Sequence, residues 1–438
     1  MELKYFGTDG IRGKALEPPL SIENVFRWGA AWASVANANG VRQLVMGWDG
    51  RTSCTELLKV FLSGFGTEIE TMPLGIVPTP AVAWITPRLA DAWGLVVSAS
   101  HNPPEDNGIK GFDSSGAKLP EEVEFAIESA FERAPSPHTV SQFAAEIAAQ
   151  PAAVEDYISH LTEIHVPHSF PVVIDCAHGA AAPWAPLLFR GAVNWIGVPV
   201  DGERINVGVG STHLDTLRKE VLDTKAAAGI AFDGDADRCL FLDGKGDIID
   251  GDQMLWLLTS DRAGRGDVPP GVVGTIMSNG GLEQSLKEIG VQFIRTPVGD
   301  KHMQRELDKR GLDLAAESSG HIVMRRVGPS GDGLATALAV LRIIMGRPRS
   351  DTWGWRFAPW PQKTANLKAP RKKDLKQCPT LQEIIAEVSG GQNPSIRLVI
   401  RWSGTEPLLR IMAEAKEEWQ VDSVMDRLVA AAKSDLLT

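Results

Sequence analysis

The stretch LVVSASHNPP, residues 95–104, changes character halfway. Leu95-Val96-Val97 is an apolar run that suits a buried strand, and Ser98-Ala99-Ser100-His101-Asn102 is a loop of small and polar residues before two prolines. Small polar groups just past the carboxyl end of an α/β strand lie where such sheets bind ligands. Working outward, RQLVMGWD (42–49) reads as a strand and TELLKVFLSGFG (55–66) as a helix. Ser21 suits the N-cap of a further helix, with Glu23 in its first turn and Gly40 as its stop. Strands alternating with helices predict parallel α/β packing.

The rhythm repeats twice. FPVVIDC (170–176), NWIGVPV (194–200) and AGIAFD (228–233) read as strands, with a helix over 212–226. A third unit starts near Gly251, with strands over 271–278, 291–298 and 312–318 and helices over 281–289 and 301–310. LATALAVLRIIM (334–345) is too short to span a membrane and carries Arg342, so a buried helix is expected. RAPSPHTVSQ (133–142) reads as a linker. FAPWPQKTANLKAPRKK (357–373) breaks the pattern, and its basic run Arg371–Lys373 reads as a solvated connector. Beyond it, strands near 395–402 and 407–415 flanked by helices predict a small α+β domain.

Length and charge narrow the function classes. The 438 residues suffice for about two to four domains. Lys plus Arg is 44 and Asp plus Glu is 55, a net charge of −11, which argues against a general nucleic-acid binder. Local Arg and Lys clusters can still hold anions. The run MELKYFGTDG is not a signal peptide, and no stretch of about 18 apolar residues predicts a membrane span. Cys54, Cys176, Cys239 and Cys378 lie far apart with no CxxC, so reduced thiols and a cytoplasmic location are expected.

Four loops carry chemistry. In the first, Ser100 between Ala99 and His101 is a nucleophile or a plain turn, and Lys110 nearby can approach a phosphate. The second is Asp233-Gly234-Asp235-Ala236-Asp237-Arg238. Three carboxylates at alternate positions repel one another unless a cation joins them, and hard oxygen ligands favour Mg²⁺. An EF-hand needs Gly at position six and Glu at twelve, where this chain has Arg238 and Gly244. The third, Glu317-Ser318-Ser319-Gly320-His321, offers groups for sugar hydroxyls and an acid or base. The fourth, Arg401-Trp402-Ser403-Gly404-Thr405-Glu406-Pro407 with Arg410, has the makings of a phosphate cradle, or of a turn with solvent-facing Arg. Gly7-Thr8-Asp9-Gly10-Ile11-Arg12-Gly13 adds a glycine-rich turn with an Arg, and neither a Walker A nor a dinucleotide motif occurs.

FGTDGIRG, SASHNPPEDNGIK, DGDADR, ESSGH and RWSGTEPLLR together resemble the signatures of the α-D-phosphohexomutase superfamily, in order, over residues 6–410. KYFGTDGIRG, VDGERINVGVGSTH (200–213) and TPVGDK (296–301) resemble its phosphoglucosamine mutase branch. The resemblance implies an α/β protein of four domains around a central cleft, three related α/β domains plus a C-terminal α+β domain. The expected limits are 1–144, 145–249, 250–358 and 359–438. It implies a mutase for glucosamine 6- and 1-phosphates that works through a phosphoserine and a bisphosphorylated sugar, with the same chemistry on glucose or mannose phosphates, or a Mg²⁺-dependent phosphatase, as alternatives. Ser100 would carry the phosphate, and Ser100, Asp233, Asp235 and Asp237 would hold one Mg²⁺. Arg12, Lys110, Arg238 and His321 would be catalytic. Lys301, Glu317, Ser319, Arg401, Ser403, Gly404, Thr405 and Arg410 would bind substrate. A hexose 1,6-bisphosphate activator and a monomer or homodimer are implied, with no nucleic-acid or membrane partner. Trp48, Gly111, Val209, Ala236 and Ala316 depart from the residues usual there, and none of the named groups is lost.

Overall fold

Ala92–Val97 is a strand buried along its whole length, and the chain leaves it at Ser98, so the apolar-to-polar change marks the strand's end. The computed structural model describes residues 3–137, 147–150, 152–164, 170–345, 356–390, 396–403 and 407–437.

In the first domain β1 (Phe6–Gly7), β2 (Gly10–Lys14), β3 (Gln43–Trp48), β4 (Glu70–Ile76), β5 (Ala92–Val97) and β6 (Asp106–Phe112) form one sheet, in the order β1-β2-β6-β5-β3-β4. Helices α1 (Ile22–Ala38), α2 (Cys54–Phe65), α3 (Thr79–Ile85) and α4 (Glu121–Arg133) pack on it. Alternate residues feed two cores: Leu44, Met46, Leu95 and Val97 join α1, α2 and α4, while Val45 and Val96 join α3. Ser21 caps α1 by accepting from the Asn24 N–H, as expected from its place before the periodic run. The Glu128 carboxylate accepts from the N–H groups of Tyr5 (2.6 Å) and Phe6 (2.9 Å), which ties the β1–β2 hairpin, and with it Arg12, to α4.

The second domain contains α5 (Ala152–Thr162), β7 (Val172–Asp175), α6 (Ala185–Leu188), β8 (Val193–Ile196), α7 (Asp215–Thr224), β9 (Ala228–Phe232), β10 (Cys239–Asp243) and β11 (Ile248–Ile249). The third contains α8 (Gly251–Gly264), β12 (Gly271–Thr275), α9 (Gly280–Glu288), β13 (Gln292–Thr296), α10 (Asp300–Arg310), β14 (Leu314–Ala316), β15 (Ile322–Met324) and α11 (Gly333–Met345). The fourth is an antiparallel sheet of β16 (Gln362–Lys368), β17 (Arg397–Trp402) and β18 (Leu408–Glu414), with α12 (Pro379–Gly390) and α13 (Glu418–Leu437). The apolar run of α11 is buried among residues of the main core, as its composition predicts, and Arg342 is exposed. The four cysteines are free and buried.

The sheets are mixed, which corrects the expectation of parallel packing. β3 pairs parallel with β4 and β5, but β6 returns antiparallel to β5. The loop between β5 and β6 holds no helix, and a direct connection leaves only the antiparallel return. The same step recurs: β9 is parallel to β7 and antiparallel to β10, and β14 is parallel to β12 and antiparallel to β15. The Ser100, Asp233–Arg238 and Glu317–His321 loops therefore occupy one topological position in three sheets. One further correction concerns a connector. The break expected over 357–373 contains β16, whose Ala365 and Leu367 pack on the fourth core while Lys363 is exposed. Arg371 and Lys372 beyond it are exposed. The linker expected over 133–142 begins as α4 ends at Arg133, and residues 138–142 lie outside the described residues.

The third and fourth domains meet around a buried carboxylate. Glu414, fully buried at the end of β18, accepts the Gly280 N–H at the start of α9 at 3.1 Å and Arg397 Nε at 2.9 Å. Arg397 in turn donates to Ser278 O at 2.8 Å.

Candidate active site

Ser100 opens the first loop with φ of 54°, a left-handed conformation that residues with a Cβ rarely hold. Its N–H donates to Ser98 Oγ at 2.8 Å, and Ser98 Oγ donates to Asp49 Oδ2 at 2.6 Å. The turn aims Ser100 Oγ into the second domain, where it donates to Asp233 Oδ2 at 2.6 Å; both residues are 0% exposed. Gly234 is needed there, because a Cβ on it would stand 2.6 Å from Ser100 O.

Asp233, Asp235 and Asp237 present carboxylate oxygens within 4.8 Å of one another. Lys110, on β6 and 2% exposed, reaches Asp235 Oδ2 at 2.6 Å and Asp9 Oδ2 at 2.9 Å. Thr79 Oγ1 at the start of α3 donates to Asp235 Oδ2 at 2.6 Å. Burial, then repulsion from Asp237 and Asp235, drives the Asp233 carboxyl well above the usual carboxylate range. Burial also opposes charge on Asp237, but Lys110 and His321 outweigh it and hold that carboxyl well below the range. Oδ1 of Asp235 and Oδ1 of Asp237 are buried without a hydrogen-bond partner among the described residues. Oxygen donors at this spacing, two of them unsatisfied and one carboxyl forced toward neutrality, fit a hard divalent cation.

Around this centre lie the cationic groups. Arg12 on β2 pairs with Asp9 and lies 3.5 Å from Asn102 Oδ1. Arg238 donates its N–H to Asp233 Oδ1 at 3.2 Å, and its Nε is 3.6 Å from Asp237 Oδ1. His321 Nδ1 is 3.5 Å from Asp237 Oδ2 and its Nε2 is 3.2 Å from Asp300 Oδ1. Burial works against a charge on His321, but Asp300 and Asp237 outweigh it and raise its pKa to about 10. Its ring fills the space a side chain at position 331 would need, since a Cβ on Gly331 would stand 2.3 Å from it.

A cleft of about 520 Å³ opens from these groups and is lined by all four domains. Glu317 Oε1 accepts the Gly299 N–H at 2.9 Å, and Ser319 Oγ lies 3.4 Å from Glu317 Oε2. On the opposite wall Arg401 and Arg410 are direct partners across β17 and β18, with Asn366 beyond Arg410 on β16. Two guanidinium groups side by side disfavour each other: burial, then Arg410, lowers the pKa of Arg401. Its buried Nε has no hydrogen-bond partner among the described residues. An anion seated between them removes both penalties.

The structure thus brings Ser100, Arg12, Lys110, Asp233, Asp235, Asp237, Arg238 and His321 to one centre, with Glu317, Ser319, Arg401 and Arg410 on the walls of the same cleft. Lys301 is not among the cleft's described lining residues; it pairs with Glu124 on α4. Asp300 faces the cleft, and one residue further along α10 turns the side chain by about 100°. Ser403 is buried at the end of β17 with its N–H on Leu408 O at 2.8 Å, and Gly404 and Thr405 lie outside the described residues. Sequence reasoning did not single out Asp9, Lys118 and Asp300. Lys118 Nζ bridges Asp9 Oδ1 at 2.6 Å and Asp300 Oδ2 at 3.1 Å, so one buried lysine joins the first domain to the third. Asp9 and Asp300 stand inside quoted motifs, whereas the surroundings of Lys118 in Gly116-Ala117-Lys118-Leu119 carry no signal.

Residues 3–138, 155–246 and 250–352 match α/β/α domains I, II and III of phosphoglucomutase/phosphomannomutase, and residues 365–431 match its C-terminal domain. The chain is 37% identical to a phosphoglucosamine mutase of Methylococcus capsulatus over 440 residues, covering 98% of each. It is 39% identical to the phosphoglucosamine mutase of Thioalkalivibrio sulfidiphilus over 448 residues, covering 99% of each. Among solved structures, a phosphoglucomutase/phosphomannomutase family protein from Burkholderia thailandensis superposes with a TM-score of 0.82 at 23% identity, over 99% of this chain and 98% of that one. The Aspergillus fumigatus N-acetylphosphoglucosamine mutase, solved in complex with GlcNAc-6P and magnesium, gives 0.67 at 18% identity, over 99% and 96%. No described helix is long and apolar enough to cross a membrane.

Proposed function

Because the chain belongs to the phosphoglucomutase/phosphomannomutase family of α-D-phosphohexomutases, which are isomerases, we propose that it interconverts glucosamine 6-phosphate and glucosamine 1-phosphate. The observation that carries the reaction is Ser100 Oγ held 2.6 Å from Asp233, in a cleft whose far wall presents Arg401 and Arg410. The choice of sugar rests on full-length relatives named phosphoglucosamine mutase at 36–39% identity.

Ser100, phosphorylated, is the donor. The sugar's 1-hydroxyl oxygen forms a bond to phosphorus as the bond from Ser100 Oγ breaks, and the hydroxyl's proton ends on Ser100 Oγ. The product is a bisphosphorylated sugar. It turns around, Ser100 Oγ takes the phosphoryl group from the 6-position, and glucosamine 1-phosphate leaves. Such transfers need positioning and charge neutralisation more than covalent help. Arg12, Arg238 and Lys110 supply positive charge around the transferring group. His321 and Lys110 are held cationic by the carboxylates beside them, which suits them to give a proton and to steady negative charge. Glu317 and Ser319 bind sugar hydroxyls. Arg401, Arg410, Ser403, Gly404 and Thr405 hold the phosphate that is not being transferred.

Asp233, Asp235, Asp237 and a phosphate oxygen on Ser100 would hold one Mg²⁺, which supplies positive charge beside the transferring phosphoryl group. A hexose 1,6-bisphosphate would charge Ser100 at the outset. The enzyme works in the cytoplasm as a monomer or homodimer. The test compares glucosamine, glucose and mannose 6-phosphates, each with Mg²⁺ and a trace of glucose 1,6-bisphosphate. The expected result is the highest kcat/KM on the glucosamine compound. Preference for glucose or mannose phosphate overturns the sugar assignment, and release of inorganic phosphate without isomer overturns the mutase reading.

A further inference from the structure

Two buried side chains outside the machinery above converge on the Ser100 turn. Arg51, 2% exposed, donates from Nη2 to Ser100 O at 2.9 Å and to Asn102 O at 2.8 Å. Its Nη1 donates to Pro103 O and to Asp106 O, the latter at 3.0 Å. Its Nε donates to Asp49 Oδ2 at 2.9 Å, the same carboxylate oxygen that accepts from Ser98 Oγ. Asn206 comes from the second domain. Its Nδ2 donates to the same two carbonyls, Ser100 O at 2.9 Å and Asn102 O at 3.0 Å. Asn206 is 4% exposed, has φ of 61°, and is fixed by its own N–H on Ala177 O at 3.0 Å.

A left-handed residue with a Cβ persists only where its surroundings over-determine it. At Ser100 these two donors, one from each domain and meeting on shared carbonyl oxygens, join the Ser98 Oγ that accepts its N–H. Without them, the Ser100 and Asn102 carbonyls would lose the side-chain donors that hold the turn in that form. We infer that Arg51 and Asn206 form a two-domain clamp that holds the Ser100 turn in its left-handed form and so sets where Ser100 Oγ stands against Asp233. Both are positioning residues: they touch the backbone of the reacting loop and not the reacting atoms. The inference rests on the reading of Ser100 as phosphoryl donor. It also gives Asn206, within the 200–213 stretch, a physical task.

The test uses the full chain with Asn206→Ala and, independently, Arg51→Lys, which keeps the charge but loses the planar fork. The measurements are kcat and KM for glucosamine 6-phosphate, the melting temperature, and by intact mass the rate at which Ser100 loses phosphate without sugar after charging with glucose 1,6-bisphosphate. Asn206→Ala is expected to lower kcat ~10- to 100-fold with KM within about twofold, the scale of misplacing a reacting group by about 1 Å. It is also expected to speed the loss of phosphate, with the melting temperature lowered by only about 2–4 °C, since Ala replaces Asn at a left-handed position. Arg51→Lys is expected to lower kcat further. Either folded variant retaining wild-type kcat, or losing only KM, overturns the clamp. Wild-type protein that takes up no phosphate on Ser100 instead overturns the functional reading beneath it.

Discussion

The reacting centre and the phosphate cradle handle charge in opposite ways. At the centre, Ser100, Asp233, Asp235 and Lys110 are at most 2% exposed, and carboxylates face a lysine, arginines and a histidine at ion-pair distance. At the cradle, Arg410 is exposed, Arg401 is half-buried, and the two are cross-strand neighbours. The centre is assembled before any sugar arrives, as preorganised stabilisation requires. The cradle keeps like charges together until an anion separates them. On the proposed function, one region would fix where the chemistry happens, and the other would recognise what the two orientations of the substrate share, a phosphate at the end not reacting.

Four measurements test that division. Ser100→Ala should show no measurable turnover, because no other group at the centre can donate the phosphoryl; residual mutase activity in a coupled assay would break the comparison outright. Asp235→Asn, or chelation of wild-type protein with EDTA, should lower kcat at least about 100-fold. Added Mg²⁺ should restore the chelated wild type and leave the variant impaired. Arg410→Ala should raise KM about 10- to 100-fold, the scale of one charge-assisted hydrogen bond, and keep most of kcat. An unchanged KM would mean the cradle does not hold the idle phosphate.

The smallest effect lies between the two regions. Asp252 in the first turn of α8 accepts the Asn279 N–H at 2.7 Å, and Asn279 bonds Trp360 on the way to the fourth domain. Burial, then repulsion from Asp250, raises the Asp252 pKa to about 7. A raised carboxyl favours the folded state when protonated, so its contribution is complete below the unfolded pKa near 3.8 and is lost as pH rises through about 7. Asp252→Asn should therefore melt about 2–4 °C above wild type at pH 8 and equal to it at pH 4, with kcat unchanged at both.

Much of the site is legible in sequence because each loop concentrates its chemistry in a few consecutive residues. Asp233, Asp235 and Asp237 announce a cation by their spacing alone, and Ser21 announces the start of α1. The connections between loops are not legible. Lys118 meets Asp9 across 109 positions, and Arg51 meets the Ser100 carbonyl across 49. Nothing beside Arg51 in Trp48-Asp49-Gly50-Arg51 distinguishes it from a solvent-facing arginine in a strand-to-helix turn. Strand β6 is hidden for a related reason. Asn107 and Gly108 are poor strand formers, yet β2 pairs with both and the Ser98 N–H just past β5 donates to Gly108 O, which overrides the local preference. Strand β16 escapes notice because an edge strand needs only Ala365 and Leu367 to face a core.

The carboxylate of Glu414 works as the fulcrum of a lever. It anchors one end of β18 on the start of α9, and Arg410 stands four residues along the same strand, an arm of about 13 Å at a strand's rise per residue. A turn of about 10° about that point would sweep Arg410 through about 2 Å, enough to make or release a hydrogen bond to a phosphate oxygen. On the proposed reading, the hold on an idle phosphate would then change without any movement at the buried centre.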